Sequence, residues 1–254
     1  MSGRLVVIGL GPGHPDQMTP QARGAVAAAT DLFGYGPYVD RVVLLPHQTR
    51  HASDNREELS RAGAALAMAA EGRHVAVVSG GDAGVFAMAA AVCEAIEHGP
   101  AAWRAVDLEI VPGVTAMLAV AARAGAPLGH DFCAMSLSDN LKPWDLIEAR
   151  LSAASSAGFV IALYNPISRA RPWQLGRAFE ILRQELPAAT PVIFGRAAGR
   201  PDERMTIASL ADADADIADM ATCVIIGSAE TRLVARENLP PLVYSPRSAG
   251  TPQK

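Results

Sequence analysis

Short runs of β-branched and other apolar residues alternate along the first half of the chain with longer segments of helical spacing. RLVVIG, HVAVVSGGD and DLEIVPG are runs of this kind, and an alanine-rich segment follows each of them. This alternation predicts a largely parallel sheet covered by helices. The run RVVLLP, at residues 41–46, is predicted to be a further strand.

Capping residues mark several predicted helix ends. Thr19 and Pro20 fit the N-cap and the first position of a helix. Asp54 and Glu57 have the spacing of a capping box, and Gly72 fits the stop of the helix that follows them.

The pattern changes in the second half. DFCAMSL and GFVIALYNP are predicted strands, a helix is predicted from about residue 143 to residue 156, and RPWQLGRAFEILRQEL is predicted to be another. PVIFG, RMTIASL and TCVIIG are further strands, some of them antiparallel because their connections are too short for crossover helices. The tail from residue 237 is rich in proline and serine and is predicted to be partly loose.

These elements predict an α/β fold of two domains with mixed, largely parallel sheets, residues 1–125 and residues 126–254. The length of 254 residues fits two such halves better than one sheet of about ten strands. A cleft between the halves is then the expected ligand site.

Composition excludes several classes of protein. The net charge of −4 gives no basic field for nucleic acid. No apolar run reaches the roughly 18 residues of a spanning helix, and the start MSGRLVVIGLGPG lacks a signal-peptide pattern, so a cytoplasmic protein without a membrane partner is expected. Cys93, Cys133 and Cys223 are widely spaced, which argues for reduced thiols and against a disulfide framework or a metal site.

Glycine-marked corners follow the predicted strands. GLGPGHPD superficially matches a dinucleotide fingerprint, but Pro12 stiffens the loop and no acidic residue follows at the expected distance, which disfavours NAD and FAD. SGGDAGVF, PGVTAM and LYNP follow three other strands. Such corners suit a ligand with an adenosine, an amino acid group and a sulfonium, with Asp82 serving as a ligand contact or simply as a turn cap.

GLGPGHPD, SGGDAGVFAMA, PGVTAM, ALYNP and FGRAAGRPDE, in this order and spacing, resemble the tetrapyrrole methylases of cobalamin biosynthesis. The resemblance covers roughly residues 5–227 and implies two α/β domains and S-adenosyl-L-methionine as methyl donor. SLSDNLKPWDLIEARL and LYNPISRARPWQL are similar to the ring-contracting branch, which implies methylation of carbon 17 of precorrin-3B with ring contraction to precorrin-4. Ala83 departs from the G-G-D-P of many relatives.

The resemblance also implies which residues bind the methyl donor. In the first half they are Pro12, Gly80, Gly81, Asp82, Val85, Phe86, Thr115 and Ala116, and in the second half Tyr164, Asn165, Gly195 and Gly227. Other roles stay open: helix-start core residues for Val85 and Phe86, a helix cap for Thr115, and strand ends for the last two glycines.

A polycarboxylate substrate needs cationic partners. The candidates are Lys142, Arg169, Arg171 and Arg196, beside Trp144 and Trp173, with Arg50 and His51 as weaker ones. The alternative for Arg171 and Trp173 is that they only open the following helix. Ring contraction needs proton transfers; His14, His130 and Asp139 are candidates, each of which also fits a cap or surface residue, so no catalytic residue is assigned.

Four alternatives stay open: the cobalt-loaded substrate of the anaerobic pathway, another precorrin methylase, a relative that modifies diphthine, and a non-catalytic tetrapyrrole carrier. A metal would arrive inside the substrate, so the first alternative is not separable by sequence. The intact GGDA and PGVTAM favour a donor-binding enzyme over a carrier. The family also implies a homodimer.

Overall fold

The computed structural model describes residues 3–248 of the chain. The chain divides into two compact units, Met1–Ala116 and Met117–Lys254. The predicted boundary at Gly125 would instead assign helix α5 (Ala116–Ala124) to the first half. Within residues 3–248, no helix is both long enough and apolar enough to cross a bilayer.

The first unit is built on a five-stranded sheet whose paired strands are all parallel, in the order β3-β2-β4-β1-β5. Its strands are β1 (Arg4–Gly9), β2 (Asp31–Tyr35), β3 (Thr49–Ser53), β4 (His74–Ser79) and β5 (Asp107–Val111). Its helices are α1 (Pro20–Ala28), α2 (Gly36–Val39), α3 (Glu58–Ala70) and α4 (Met88–His98). Because the strands are parallel, their carboxyl ends share one edge of the sheet.

Both faces of this sheet are buried. Leu5 and Val7 of β1 belong to one hydrophobic cluster, whereas Val6 and Ile8 belong to another. A strand that is covered on both sides is apolar at successive positions, as LVVI in β1 is. The prediction of a parallel sheet covered by helices is confirmed for this unit.

The prediction of a strand at residues 41–46 is wrong. This segment is a turn and a loop, and Val43 and Leu45 are 89% and 41% exposed. The Arg50 side chain holds the loop, since it donates to the Asp40 carboxylate at 2.9 Å and to the Val42 carbonyl at 2.8 Å. Apolar side chains alone do not make a strand when no neighbouring strand is available for pairing.

The predicted helix caps are largely confirmed. Thr19 accepts a hydrogen bond from the backbone of Ala22, directly before α1. Gly72 follows α3 with a φ of 94°, which glycine tolerates. The capping box is only half formed: the Asp54 amide donates to Glu57 at 3.1 Å, but the helix begins at Glu58.

The second unit has a mixed sheet in the order β10-β9-β11-β8-β7. Its strands are β7 (Phe132–Ser136), β8 (Val160–Tyr164), β9 (Pro191–Arg196), β10 (Arg204–Ser209) and β11 (Thr222–Ile226). Strands β7 and β8 are parallel, whereas β8, β11, β9 and β10 pair antiparallel, as predicted. Helices α6 (Trp144–Ser156) and α7 (Gln174–Glu185) contribute to its core, where Phe179 stacks edge-to-face with Phe194.

A small third sheet was not predicted. β12 (Arg232–Arg236) pairs antiparallel with β13 (Leu239–Tyr244), and β13 pairs with the short β6 (Gly125–Ala126). The prediction of a loose tail is therefore wrong as far as Tyr244, and its final residues, 249–254, lie outside the described residues. The two prolines within β13 are accommodated where the register of the hairpin shifts, next to Val234.

A buried carboxylate stabilises the start of β2. Asp31 is 1% exposed, and its oxygens lie 2.9 Å from His51 Nε2 and 2.8 Å from Arg73 Nε. Burial alone would raise the pKa of Asp31, but hydrogen bonds from His51 and Thr30 and the charge of Arg73 outweigh it, so the pKa lies below its ordinary value of 3.8. His51, a weaker candidate for substrate binding, is thus engaged in the structure of this unit.

Asp31→Asn is expected to lower the free energy of unfolding by about 2 kcal/mol near neutral pH, because the buried amide cannot replace the charged acceptor of the bonds from Thr30, His51 and Arg73. A lowered pKa stabilises the fold above the ordinary value of 3.8, and that contribution is lost as the pH falls through the lower folded-state value. Urea unfolding measured across pH should therefore show that the difference in the free energy of unfolding between Asp31→Asn and the unsubstituted chain becomes smaller in acid. The exposed Asp107 is the control: Asp107→Asn should change stability by less than about 0.5 kcal/mol. An equal effect of the two substitutions would contradict this assignment.

Candidate functional site

Three corners lie side by side at the carboxyl edge of the first unit's sheet. They follow β1, β4 and β5, which are adjacent in the order β4-β1-β5. Gly11 and Gly81 donate to each other's carbonyl oxygens at 3.0 Å and 2.9 Å. The corners after β1 and β4 are thus joined by backbone hydrogen bonds, and the left-handed φ values of 73° and 72° at these positions favour glycine.

Backbone packs directly on backbone where the three corners meet. A Cβ at Gly9 would lie 2.7 Å from both the Gly113 nitrogen and the Gly81 oxygen. A Cβ at Gly113 would lie 2.3 Å from the same Gly81 oxygen. No side chain fits at either position, so these glycines set how closely the corners approach.

The Asp82 carboxylate ties two corners together. Its Oδ1 accepts a hydrogen bond from the Gly84 amide at 2.8 Å, and its Oδ2 accepts one from the Gly113 amide at 2.9 Å. Asp82 is therefore a turn former within its own loop and a link to the loop after β5. A carboxylate has about four acceptor positions, so these two bonds leave room for a ligand donor.

Phe86 is an exposed aromatic residue in a strained backbone conformation. Its φ is 52° and the residue is 49% exposed, so it is not the buried core residue that its sequence position also allowed. Strain of this kind in a non-glycine residue concentrates at ligand sites. The segment is anchored immediately afterwards, where the Met88 amide donates to Ser79 at 3.3 Å.

The other predicted residues of the first unit lie in these same corners. Pro12 is buried directly after Gly11, and Val85 is half-buried beside Phe86. Thr115 is buried and Ala116 opens α5, and both approach the position that a Cβ at Gly81 would take. The structure therefore brings the whole first-unit set together.

Two residues at this edge were missed by the sequence analysis. A Cβ at Gly80 would lie 2.7 Å from the Tyr38 ring, and Arg41 donates to the Gly11 carbonyl at 3.2 Å. Tyr38 belongs to α2, and Arg41 lies in the turn after it, at the start of the segment where a strand was predicted. Tyr38 and Arg41 follow the segment GYGP, and this aromatic residue and this cation are the sequence feature from which their place at the site could have been predicted.

A third missed residue, Arg61, lies beneath the start of α4. It is 4% exposed and donates to Ser53 Oγ and the Asp54 carbonyl, both at 2.6 Å, and to Met88 Sδ at 3.2 Å. Burial lowers the pKa of its guanidinium. Arg61 thus fixes the helix that begins after Phe86.

In the second unit, Tyr164 and Asn165 form the corner after β8. The Tyr164 hydroxyl accepts a hydrogen bond from the Met117 amide at 3.0 Å, at the start of α5. Asn165 has a φ of 51°, and its amide donates to Ser136 Oγ at 3.0 Å. This corner is therefore held by neighbours on β7 and α5.

The two predicted glycines of the second unit lie at opposite ends of the strands of its sheet. Gly195 pairs with Cys223, at the edge of the sheet that carries Tyr164. Gly227 follows the other end of β11, roughly 13 Å away at about 3.3 Å per residue. The structure does not bring Gly227 to the Tyr164 corner. A Cβ at Gly195 would lie 2.2 Å from Val120 of α5, so this glycine has a packing role.

The family is shown by comparison with known proteins. The model of the tetrapyrrole (corrin/porphyrin) methylases matches residues 4–214. The chain belongs to this family.

Relatives and solved structures agree with this membership. The chain is 69% identical to a precorrin-3B C(17)-methyltransferase of a Sinorhizobium species over 97% of both chains. The crystal structure of the methyltransferase CobJ matches it with a TM-score of 0.92 and 51% identity, covering 96% of this chain and 100% of the other. A Thermus thermophilus uroporphyrin-III C-methyltransferase, complexed with S-adenosyl homocysteine, has the same fold at a TM-score of 0.67 and 19% identity, covering 89% and 98%. The predictions of the family and of a methyltransferase are confirmed.

The predicted substrate cations of this tetrapyrrole methylase differ in their surroundings. Lys142 is half-buried, and burial together with the nearby charge of Arg150 lowers its pKa. Arg169 is exposed, whereas Arg171 is buried. Arg196 lies 2.7 Å from each of two carboxylates, so its charge is already balanced. Lys142 and Arg169 are therefore better suited to bind an added anion.

Two tryptophans of the methylase pack beside these cations. The rings of Trp144 and Trp173 meet edge-to-face at 4.7 Å, and Trp144 Nε1 donates to Glu148 at 2.6 Å. Trp173 remains 48% exposed directly before α7. The pair fixes the two helix starts and presents an aromatic surface next to the loop of Arg169.

The proton-transfer candidates of the methylase have structural partners. His14 accepts from the Asp16 amide at 3.2 Å, and His130 accepts from the Asp131 amide at 2.8 Å, so both act as local caps. Asp139 is bound by the Gln174 side chain.

Within the described part of the chain, no three histidine, cysteine or acidic side chains form a cluster that could hold a metal ion.

Asp82→Asn is expected to weaken binding of S-adenosylhomocysteine by about tenfold, because an amide NH₂ would face one of the two backbone donors and separate the corners. Titration calorimetry measures the affinity, and thermal unfolding measures the accompanying loss of stability, about 1–2 kcal/mol. Asp16→Asn, on the exposed loop after β1, should change neither. Full affinity in Asp82→Asn would show that this carboxylate does not organise the site.

Proposed function

We propose that this chain is an S-adenosyl-L-methionine-dependent C-methyltransferase that methylates carbon 17 of precorrin-3B and contracts the ring to give precorrin-4, in cobalamin biosynthesis. The identity of 69% to a precorrin-3B C(17)-methyltransferase, over nearly the full length of both chains, supports this function. The intact glycine corners of the first unit support a donor-binding enzyme over a carrier.

The first-unit corners fit the methyl donor. When bound, S-adenosyl-L-methionine supplies a methyl group on a sulfonium sulfur that is already activated for transfer. Gly80 and Gly81 are proposed donor contacts as parts of the half-buried corner after β4, where Tyr38 packs on Gly80 and the Gly81 backbone is bonded to Gly11. Val85 and the half-exposed Phe86 ring supply apolar surface of the kind that holds an adenine. The remote Thermus thermophilus methylase is a complex with the demethylated donor, which supports the same ligand for this fold.

The residues of the chain act by orientation. Methyl transfer from a sulfonium needs no protein nucleophile, so the task is to hold donor and acceptor in line. The close backbone contacts among Gly9, Gly81 and Gly113, and the bond from the Gly113 amide to Asp82, serve this purpose in the first unit. In the second unit, Tyr164 and Asn165 are proposed donor contacts, as is Gly195. Gly227 is the weakest member of the set because it lies at the other edge of its sheet.

The substrate is proposed to be bound through its carboxylates. Lys142 and Arg169 are the proposed contacts because neither has a carboxylate within ion-pair distance among the described residues. Arg196 would have to exchange Asp202 or Asp219 for the substrate. The exposed Trp173 would supply a flat apolar surface for the macrocycle.

A homodimer and a cytoplasmic location complete the proposal. The family resemblance supports the dimer, which sedimentation velocity would test: a single species with the mass of one chain would reject it. All three cysteines are free thiols, as in reducing compartments, and burial raises the pKa of Cys223 to about 12. Fractionation of the producing cells would test the location.

The function is tested by incubating the purified chain with methyl-labelled S-adenosyl-L-methionine and precorrin-3B and locating the label by NMR. Label on carbon 17 of a ring-contracted product is expected. A parallel reaction with the cobalt-loaded substrate should be slower. Label on another carbon would reject the assigned reaction, and transfer to no tetrapyrrole would reject the enzyme.

A further inference from the structure

Arg171 is a buried arginine on the loop that follows β8. It is 6% exposed, and its Nη1 lies 3.3 Å from the carbonyl oxygens of both Leu137 and Asn165, to which it donates. The Asp139 carboxylate lies 4.0 Å from its Nε. One side chain therefore joins the loop after β7 to the corner after β8.

The surroundings of Arg171 hold it in this orientation. Its backbone exchanges hydrogen bonds with Ser168 at 3.0 Å and 2.9 Å, which closes the loop on itself. The Gln174 amide, 1% exposed, lies 3.3 Å and 3.2 Å from the two oxygens of Asp139. Asp139 is thus oriented by Gln174 and balances the buried charge of Arg171.

The corner that Arg171 contacts is the Tyr164–Asn165 corner. The left-handed backbone of Asn165 costs free energy in a residue other than glycine and persists only where neighbours enforce it. The contacts enforcing it here are the Arg171 bond to the Asn165 carbonyl, the Asn165 bond to Ser136, and the Leu137 amide bond to the Tyr164 carbonyl at 2.9 Å. Among these, the guanidinium is the only charged donor.

We propose that Arg171 is a positioning residue, which holds Tyr164 and Asn165 in place for the methyl donor and does not itself bind the substrate carboxylates. This inference rests on the proposed function, in which those two residues contact the donor. The guanidinium is buried, with Nη1 on the two carbonyls, Nε toward Asp139 and Nη2 3.9 Å from Met220 Sδ, so a substrate carboxylate could reach it only by displacing one of these neighbours. Its Nη1 contacts both carbonyls while its Nε faces Asp139, and a lysine ammonium, which has one nitrogen, cannot serve both positions.

The test separates donor binding from substrate binding. Arg171→Met, which keeps length but removes the fork, should weaken S-adenosylhomocysteine binding by about tenfold or more, as expected for loss of a buried hydrogen bond from a charged group. Its KM for precorrin-3B should stay within about twofold. The matched control is the exposed Arg169 on the same loop: Arg169→Met should keep the S-adenosylhomocysteine affinity and raise the KM for precorrin-3B.

Two further variants keep the inference falsifiable if Arg171→Met does not fold. Asp139→Asn and Arg171→Lys should each bind S-adenosylhomocysteine at least about threefold more weakly than the unsubstituted chain, because each loses part of the contacts that hold the corner. A raised KM for precorrin-3B with unchanged S-adenosylhomocysteine affinity in the Arg171 variants would overturn the inference. Failure of the unsubstituted chain to bind S-adenosylhomocysteine would instead overturn the proposed function, and the inference with it.

Discussion

The contact of backbone with backbone at Gly9, Gly81 and Gly113 is the constraint on which the first unit's site depends. The carboxyl ends of β1, β4 and β5 could not come this close with any Cβ at Gly9 or Gly113. Asp82 then fixes the approach, because one carboxylate accepts from two loops. The result is a rigid edge from which Phe86 projects in a strained conformation, with little freedom to be lost when a ligand binds.

The second unit reaches a comparable result by a different route. Its corner at Asn165 has no glycine, and the left-handed backbone there is held by side chains, chiefly the buried guanidinium of Arg171 and the hydroxyl of Ser136. The Tyr164 hydroxyl extends this network to the first turn of α5. Backbone packing is insensitive to charge, whereas a network built on Arg171 and Asp139 depends on keeping that pair intact.

Much of the fold was predictable because local and tertiary preferences agree. Strand runs such as LVVIG are apolar at every position, and caps such as Thr19 act within one turn. The sequence-based predictions failed where the structure of a segment depends on pairing with a strand that is distant in the sequence. Residues 41–46 look like a strand but lack strand neighbours, and β13 forms despite its prolines because β12 and β6 pair with it. At the site, the glycine corners followed from motif and position, but Tyr38 and Arg41 contact these corners only in the folded chain.

Calorimetric titration of Gly113→Ala with S-adenosylhomocysteine tests the central claim most directly, with Gly24→Ala as control because a Cβ at Gly24 meets nothing within 4 Å. The added methyl at position 113 must push the corners apart, so Gly113→Ala should lose at least about tenfold in affinity, roughly 1.4 kcal/mol, while Gly24→Ala binds like the unsubstituted chain. A folded Gly113→Ala with full affinity would contradict the account.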